Sequence, residues 1–246
     1  MQQASLYHKL PEQLVQCLAC RHYCKIAPGN TGICGVRENV AGELQLLVYG
    51  RAAGIGIDPM EKKPLFHFLP GKEIFSFGTI GCNFGCRFCQ NWDTSQASKE
   101  FKKRAKKGVK GLEDFNLKVE KFGYDLQPEA IVDYCVEHNI RAIAYTYNEP
   151  TIFFEYALDT MKLAKKQGIR NVFVTNGYTS KEALAQLPGL LDAANIDLKS
   201  FSNDFYTGIC QAKLKPVLDA IKEYYALGIW IELTTLVIPG KNDSTK

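Results

Sequence analysis

Two groups of cysteines carry the chemistry this sequence could perform. Gly81-Cys82-Asn83-Phe84-Gly85-Cys86-Arg87-Phe88-Cys89-Gln90-Asn91 puts three thiols on one short loop, spaced C-x₃-C-x₂-C, with an aromatic residue directly before the last. A closed structural zinc site takes four donors. Three thiolates on a four-iron cluster instead leave one iron open to a small-molecule ligand, as catalytic metal sites keep an open position. Gly81 and Gly85 would let the backbone wrap closely around such a cluster and aim amide N–H groups at its sulfides. Spacing alone also admits a zinc knuckle completed by a distant His or Cys.

The second group, Cys17-x₂-Cys20-x₃-Cys24-x₉-Cys34, supplies four donors, with His22 between two of them. Structural Zn²⁺ fits this closed set, and a second Fe–S cluster fits nearly as well. A small loop-rich module gains its stability from a metal, which tilts the reading to zinc. Seven of the nine cysteines fall in these two groups, so they read as thiolate ligands in a reducing compartment and not as disulfides. Cys135 and Cys210 read as small buried hydrophobes without a role. His67 reads as a packed or capped histidine, and His8 and His138 have no evident partners.

Positioning these groups requires a core. The chain has 246 residues, 46% of them apolar, enough for one main domain and a small extra module. No apolar stretch of about 18 residues occurs, and the first ten residues lack a signal-like apolar region, so a soluble cytoplasmic protein is expected. The formal charge of +4 does not by itself imply a nucleic-acid partner. Residues 1–70 are expected to form a Cys-rich metal-binding module and a linker through Asp58-Pro59 and Leu69-Pro70-Gly71, and residues 71–246 the core. Strands are predicted at Glu73–Ile80, Arg141–Tyr147, Asn171–Thr175, Ala194–Leu198 and Trp230–Ile238. Helices are predicted from Pro128, from Thr151 to Gly168, from near Ser180, and from Pro216 to Leu227 with Gly228 as the stop. This alternation predicts an α/β fold with a parallel sheet, open or curled into a barrel. Residues 98–124, with Lys102, Lys103, Arg104, Lys106, Lys107 and Lys110, are expected as a basic, solvated excursion. After the fifth strand Pro239-Gly240 turns and Asn242-Asp243-Ser244 resembles a helix N-cap, so the chain is expected to stop in mid-unit.

In such sheets the site forms at the carboxyl ends of the strands. There the sequence places the cysteine loop, Tyr147-Asn148-Glu149-Pro150, Thr175-Asn176-Gly177 and Asp197-Leu198-Lys199 on one rim.

The segment CNFGCRFC resembles the C-x₃-C-x-aromatic-C signature of the radical S-adenosylmethionine (SAM) superfamily. Asn148-Glu149-Pro150 resembles the Gly-Gly-Glu-Pro-like segment of radical SAM activating enzymes, which meets the amino group of the SAM methionine. Thr175-Asn176-Gly177 resembles the Asp-Thr-Asn-Gly segment of glycyl-radical activators, with Val174 in place of the aspartate. Asp197-Leu198-Lys199 resembles their Asp-Leu-Lys. Over nearly the whole chain, Asp58-Pro59-Met60-Glu61-Lys62-Lys63-Pro64-Leu65-Phe66-His67-Phe68-Leu69-Pro70-Gly71, the cysteine loop and Gln90-Asn91-Trp92 are similar to the radical SAM protein of the AmmeMemoRadiSam system, a relative of pyruvate formate-lyase activating enzymes.

That resemblance implies a partial (βα)₆-type radical SAM barrel, with five strands evident and the chain ending before the last unit. It implies a [4Fe–4S] cluster on Cys82, Cys86 and Cys89, and SAM held by Asn148, Glu149, Thr175, Asn176, Asp197 and Lys199. Implied with them are a flavodoxin- or ferredoxin-type electron donor and Memo-like and AMMECR-like companions. The implied reaction is reductive cleavage of SAM to a 5′-deoxyadenosyl radical that abstracts hydrogen from a substrate. A glycyl-radical-enzyme activase is a rival reading, and a zinc-binding interaction or nucleic-acid-binding protein is a rival of another class.

Overall fold

The protein is described from a computed structural model covering residues 1–106 and 118–244, with side chains left aside at 103–106. Lys107 and Lys110 of the expected basic excursion lie outside the described residues, as do the side chains of Lys103, Arg104 and Lys106.

The N-terminal part is built from short antiparallel ladders. β1 (Gln2–Gln3), β6 (Glu43–Leu46) and β5 (Arg37–Val40) form one, β2 (Tyr7–Lys9), β3 (Val15–Cys17) and β4 (Lys25–Ile26) another, and β7 (Arg51–Ala52) pairs with β10 (Tyr124–Asp125). Strands this short bury little, so Val15, Ile26, Val36, Leu44 and Leu46 share one apolar cluster with the core beneath them.

The core is a six-stranded sheet in the order β14–β13–β12–β11–β9–β8. β9 (Glu73–Gly78), β11 (Ala142–Tyr145), β12 (Arg170–Thr175), β13 (Ala193–Asp197) and β14 (Trp230–Thr234) run parallel. These are the five predicted strands: β9, β11 and β14 are shorter by two to four residues, β12 begins one residue earlier, and β13 is shifted by one. β8 (Gly54–Pro59) was expected in the N-terminal module and its linker, but it pairs antiparallel along β9 and forms one edge. No closed barrel is formed among the described residues; the α/β fold with its parallel sheet is as predicted.

The two faces of the sheet differ in side-chain size. Phe75, Phe77, Ile143, Tyr145, Phe173 and Ile196 pack in one cluster with residues of the helices. Ala142, Ala144, Val172 and Ala193 alternate with them onto the opposite face, where Met60, Leu65 and Ile74 complete a second cluster. Small residues on that face leave room for the Met60–Leu69 segment, so the expected linker is a plug across the base of the inner face.

The helices among the described residues include α1 (Trp92–Ser95), α2 (Ala97–Lys106), α3 (Pro128–Glu137), α4 (Phe154–Lys166), α5 (Lys181–Leu184) and α6 (Leu214–Ala226). Pro128 occupies the first turn of α3, where its missing N–H costs no hydrogen bond. Ser180 caps α5 by accepting from the Ala183 amide at 3.0 Å, and its hydroxyl donates to Leu18 O in the N-terminal part. α6 stops at Gly228, whose φ of +74° suits glycine. α2 falls where the solvated excursion was expected to begin. Its first turn is fastened down: Ser98 is buried and donates to Cys34 O at 2.8 Å, and Lys99 donates to Phe84 O at 2.6 Å. Among the described residues no helix is long and apolar enough to cross a membrane.

Candidate active site

The cysteine loop leaves the end of β9 and turns back beneath the ends of β11, β12 and β13. A cavity of about 400 Å³ opens there, lined by Cys82, Cys86 and Cys89 from the loop. Asn148 joins them from the segment after β11, Thr175 and Asn176 from the carboxyl end of β12, and Asp197 and Lys199 from that of β13. The structure thus brings together every predicted site residue of the core except Glu149.

Glu149 lies fully buried behind the cavity wall. Its Oε1 accepts from the Thr151 amide at 3.1 Å, Thr151 Oγ1 at 2.7 Å and Thr175 Oγ1 at 2.8 Å, while Oε2 accepts from the Asn176 amide at 2.8 Å. Burial pushes its carboxyl up, against the pull of these donors. Its geometry is that of a residue that shapes the 175–176 turn from behind.

Two asparagines fix the loop. Asn148 donates to Gly81 O at 2.9 Å and Thr79 Oγ1 at 3.0 Å. Asn176 donates to Asn83 Oδ1 at 2.7 Å, which leaves the buried Asn83 Nδ2 without a partner among the described residues. Phe84 N points at Cys82 Sγ at 3.4 Å, so this amide, and not those of the glycines, is the one aimed at a ligand sulfur. Gly81 N donates to Thr94 O and Gly85 N to Cys210 O, and the glycines serve close packing. At Gly81, with φ +90°, a Cβ would fall 2.7 Å from Cys34 O; at Gly85 it would meet the Gln211 side chain at 2.4 Å.

Burial pushes the Cys82 thiol up to about 12. A hydrogen bond shared with Cys210, together with burial, holds the proton on Cys86. Cys210 ends a single π-helical turn, Tyr206–Cys210; it is buried in an apolar cluster with Phe84 and Cys86, as expected of a small hydrophobe, and its thiol also shares the hydrogen bond with Cys86. Cys135 is the buried helix residue expected. Lys199 Nζ lies 2.9 Å from Asp197; burial opposes its charge, but Asp197 and Cys86 outweigh that and raise its pKa.

Sequence reasoning missed the opposite wall. Lys62, Lys63, Pro64 and Tyr147 also line the cavity. Asp58 holds Lys62 at 2.6 Å and the buried Lys63 at 2.7 Å, and Lys63 Nζ lies 4.8 Å above the Tyr147 ring. Tyr147 adopts φ +66°, an uncommon backbone state for a side chain of this size, with its ring against Gly54 and Gly56. The signal was present as Asp58-x₃-Lys62-Lys63, but nothing in it said that the linker doubles back into the sheet. His67, expected to be packed, is exposed, its amide donating to Glu232 at 3.0 Å. His138 stacks on Tyr134 at 4.0 Å.

Of the other group, Cys17, Cys20 and Cys34 are buried and Cys24 half-buried, all as free thiols. Burial raises all four, and each feels the charge of another member. The group abuts the first: His22 Nε2 lies 3.0 Å from Asn83 O, and Gly81 packs on Cys34. Among the described residues no three Cys, His, Asp or Glu side chains converge tightly enough for a single metal ion.

Residues 77–246 match the family model described as the radical SAM superfamily. An uncharacterized protein of Methanocaldococcus jannaschii is 40% identical over 245 residues, covering 99% of this chain and 67% of that protein. A putative glycyl-radical enzyme activating enzyme of the same organism is 26% identical over 165 residues, covering 65% of this chain and 54% of that one. The chain thus spans between half and two thirds of these relatives. A domain of pyruvate-formate lyase-activating enzyme from Bacteroides vulgatus superposes with a TM-score of 0.39 at 22% identity, over 42% of this chain and 63% of that structure.

Superfamily proteins are enzymes that use a [4Fe–4S] cluster and SAM, generally with a flavodoxin- or ferredoxin-type electron donor. The donor set fits such a cluster. Three thiols face one cavity, an amide points at one of the sulfurs, and two half-buried lysines lie by the loop, Lys99 on Phe84 O and Lys199 beside Cys86. By this match over most of its length, the chain belongs to the radical SAM superfamily.

Proposed function

We propose that this chain holds a [4Fe–4S] cluster on Cys82, Cys86 and Cys89 and uses it to cleave SAM reductively. The observation that carries the reading is the convergence of those three thiols with the polar ends of β11, β12 and β13 on one cavity. When bound, cluster and SAM supply a one-electron cleavage whose 5′-deoxyadenosyl radical takes hydrogen from a substrate.

The chain's own residues then have distinct tasks. Asn148 and Asn176 hold the loop, and Glu149 fixes Thr175 and the Asn176 amide from behind. Thr175, Asn176, Asp197 and Lys199 bind SAM, with Asn148 and Glu149 shaping the turns that present them. Gathering these groups on strand ends supplies orientation, and the cavity walls limit water around the reacting atoms. In the N-terminal module, Cys17, Cys20, Cys24 and Cys34 hold a second metal centre, Zn²⁺ or Fe–S, a single Zn²⁺ requiring these thiols to draw closer than they lie in the structure.

The protein acts in the cytoplasm with Memo-like and AMMECR-like companions, as the resemblance to the AmmeMemoRadiSam protein implies. A glycyl-radical activase is the second reading, favoured by the similarity to a putative activating enzyme of that class.

The test is anaerobic reconstitution with iron and sulfide, then EPR after reduction with and without SAM, beside a Cys82→Ala/Cys86→Ala/Cys89→Ala variant. The expected result is a four-iron signal that SAM perturbs and the variant lacks. Zinc alone, with no iron on that loop, sinks the reading and promotes the zinc-binding interaction protein. Co-purification with a Memo-like or a glycyl-radical protein separates the two enzyme readings.

A further inference from the structure

Lys99 occupies the first turn of α2, where an ammonium opposes the helix dipole. Its compensation comes from the cysteine loop. Nζ donates at 2.6 Å to the carbonyl of Phe84, midway along the loop between Cys82 and Cys86. The sulfurs of Cys82, Cys34, Cys86 and Cys89 all lie within electrostatic reach of it. Burial is the larger effect and lowers its pKa from the ordinary value, while those four sulfurs act to hold the proton on. The neighbouring Ser98 donates to Cys34 O at 2.8 Å, so this one helical turn is wedged between the two cysteine groups.

Other charges face the loop as well. Lys199, beside Cys86, is matched by Asp197 at 2.9 Å, and Glu149 lies within reach of Cys82. The contact Lys99 makes is with a neutral carbonyl, so its charge is directed at the sulfurs undiminished by that partner.

We infer that Lys99 is a positioning residue that clamps the cluster loop and, as a fixed positive charge beside Cys82, Cys86 and Cys89, raises the reduction potential of the cluster held there. This rests on the function proposed above. Reduction adds one electron from an external donor and makes the cluster more negative by one charge, so a nearby cation stabilises the reduced form. Cluster potentials respond to net charge and hydrogen bonding in this way.

The experiment is an EPR-monitored dithionite titration of the reconstituted full chain and its Lys99→Met, Lys99→Gln and Lys99→Arg variants. Met and Gln are expected to lower the reduction equilibrium at least tenfold, about 59 mV for a one-electron couple. Arg is expected to stay near the parent potential. A neutral variant titrating at the parent potential, or an Arg variant falling as far as Met, overturns the inference. If both neutral variants lose iron, retention by Arg at the parent potential supports the charge, and loss by Arg as well overturns it. An unaltered protein that holds no iron on the loop overturns the proposed function instead, so the two failures are told apart.

Discussion

Arg37 and Glu155 form an ion pair inside the protein, between β5 of the N-terminal part and α4 of the core. Arg37 is 1% exposed and Glu155 5%. The guanidinium meets both carboxylate oxygens and also donates to Ile152 O at 2.9 Å, while Ser5 N donates to the same carboxylate at 3.0 Å. A buried pair so fully hydrogen-bonded fixes how the two parts meet, since any other arrangement strands a charge.

Removing one partner is therefore costly. Arg37→Met is expected to destabilise the protein by about 3–5 kcal/mol, read from urea unfolding, and Glu155→Gln is also costly because it leaves the buried guanidinium without its counter-charge. A neutral Arg37 variant within 1 kcal/mol of the parent would show the pair to be incidental.

The same pair predicts an acid limit. Burial would raise the Glu155 carboxyl, but Arg37 and the backbone donors bring it below the ordinary value of 4.5. A carboxylate depressed on folding contributes stability above its unfolded pKa and loses it as pH falls through the folded one. Stability is expected to decline below about pH 4.5, with a shallower decline in Glu155→Gln. Identical pH profiles for the two proteins would refute this.

Gly81 and Gly85 are expected to respond differently to alanine. At Gly81 the new methyl meets a backbone carbonyl at positive φ, so the strain of about 1–3 kcal/mol has no outlet. At Gly85 it meets the end of the flexible Gln211 side chain, which can swing away. Thermal melts of the two variants should rank Gly81→Ala lower, and equal melting points would be the contrary result.

Glu149→Gln places an NH₂ group opposite either the Asn176 amide or the donors from Thr151 and Thr175. A donor facing a donor in a buried site costs about 1–3 kcal/mol. The reconstituted variant is expected to keep its iron while the SAM concentration needed to perturb the EPR signal rises about tenfold. A lowered iron content whose remaining signal responds to SAM at the parent concentration would assign Glu149 to the loop instead.

The N-terminal centre has its own prediction. Cys20→Ser and Cys34→Ser are expected to lower metal content without removing the SAM-responsive signal. They should also lower Tm by at least about 2–4 °C, the shift that 1 kcal/mol produces in a chain of this size. Metal analysis of the parent decides between zinc and iron.

The parallel strands and the three-cysteine loop were legible because their signals are local: β-branched runs between Gly and Asn, and thiols spaced a few residues apart. Ser180 as a cap and Gly228 as a stop were legible for the same reason. What escaped were features that depend on distant packing. β8 reads as a Gly-Ile alternation with a proline, and only β9 beside it makes it a strand. Lys99 reads as one charge in a basic run until Phe84 O is brought against it. Glu149 sits in a segment where a rim ligand is expected, yet a chain reversal at Tyr147 carries its side chain inward. Cys210 carries no spacing signal at all, and its neighbour Cys86 is far away in sequence.

The loop bearing Cys82, Cys86 and Cys89 owes its shape to partners from across the whole polypeptide: Cys34 at Gly81, Phe84 O under Lys99, Asn148, Asn176, and Cys210 at Gly85. Contacts so distant along the chain form late in folding. Maturation of the proposed cluster is therefore expected to have an order, with the thiols bared before the cradle exists and oxidation then competing with iron delivery. Supplying iron and sulfide during refolding in the absence of oxygen should thus yield more intact clusters than supplying them to protein already exposed to air.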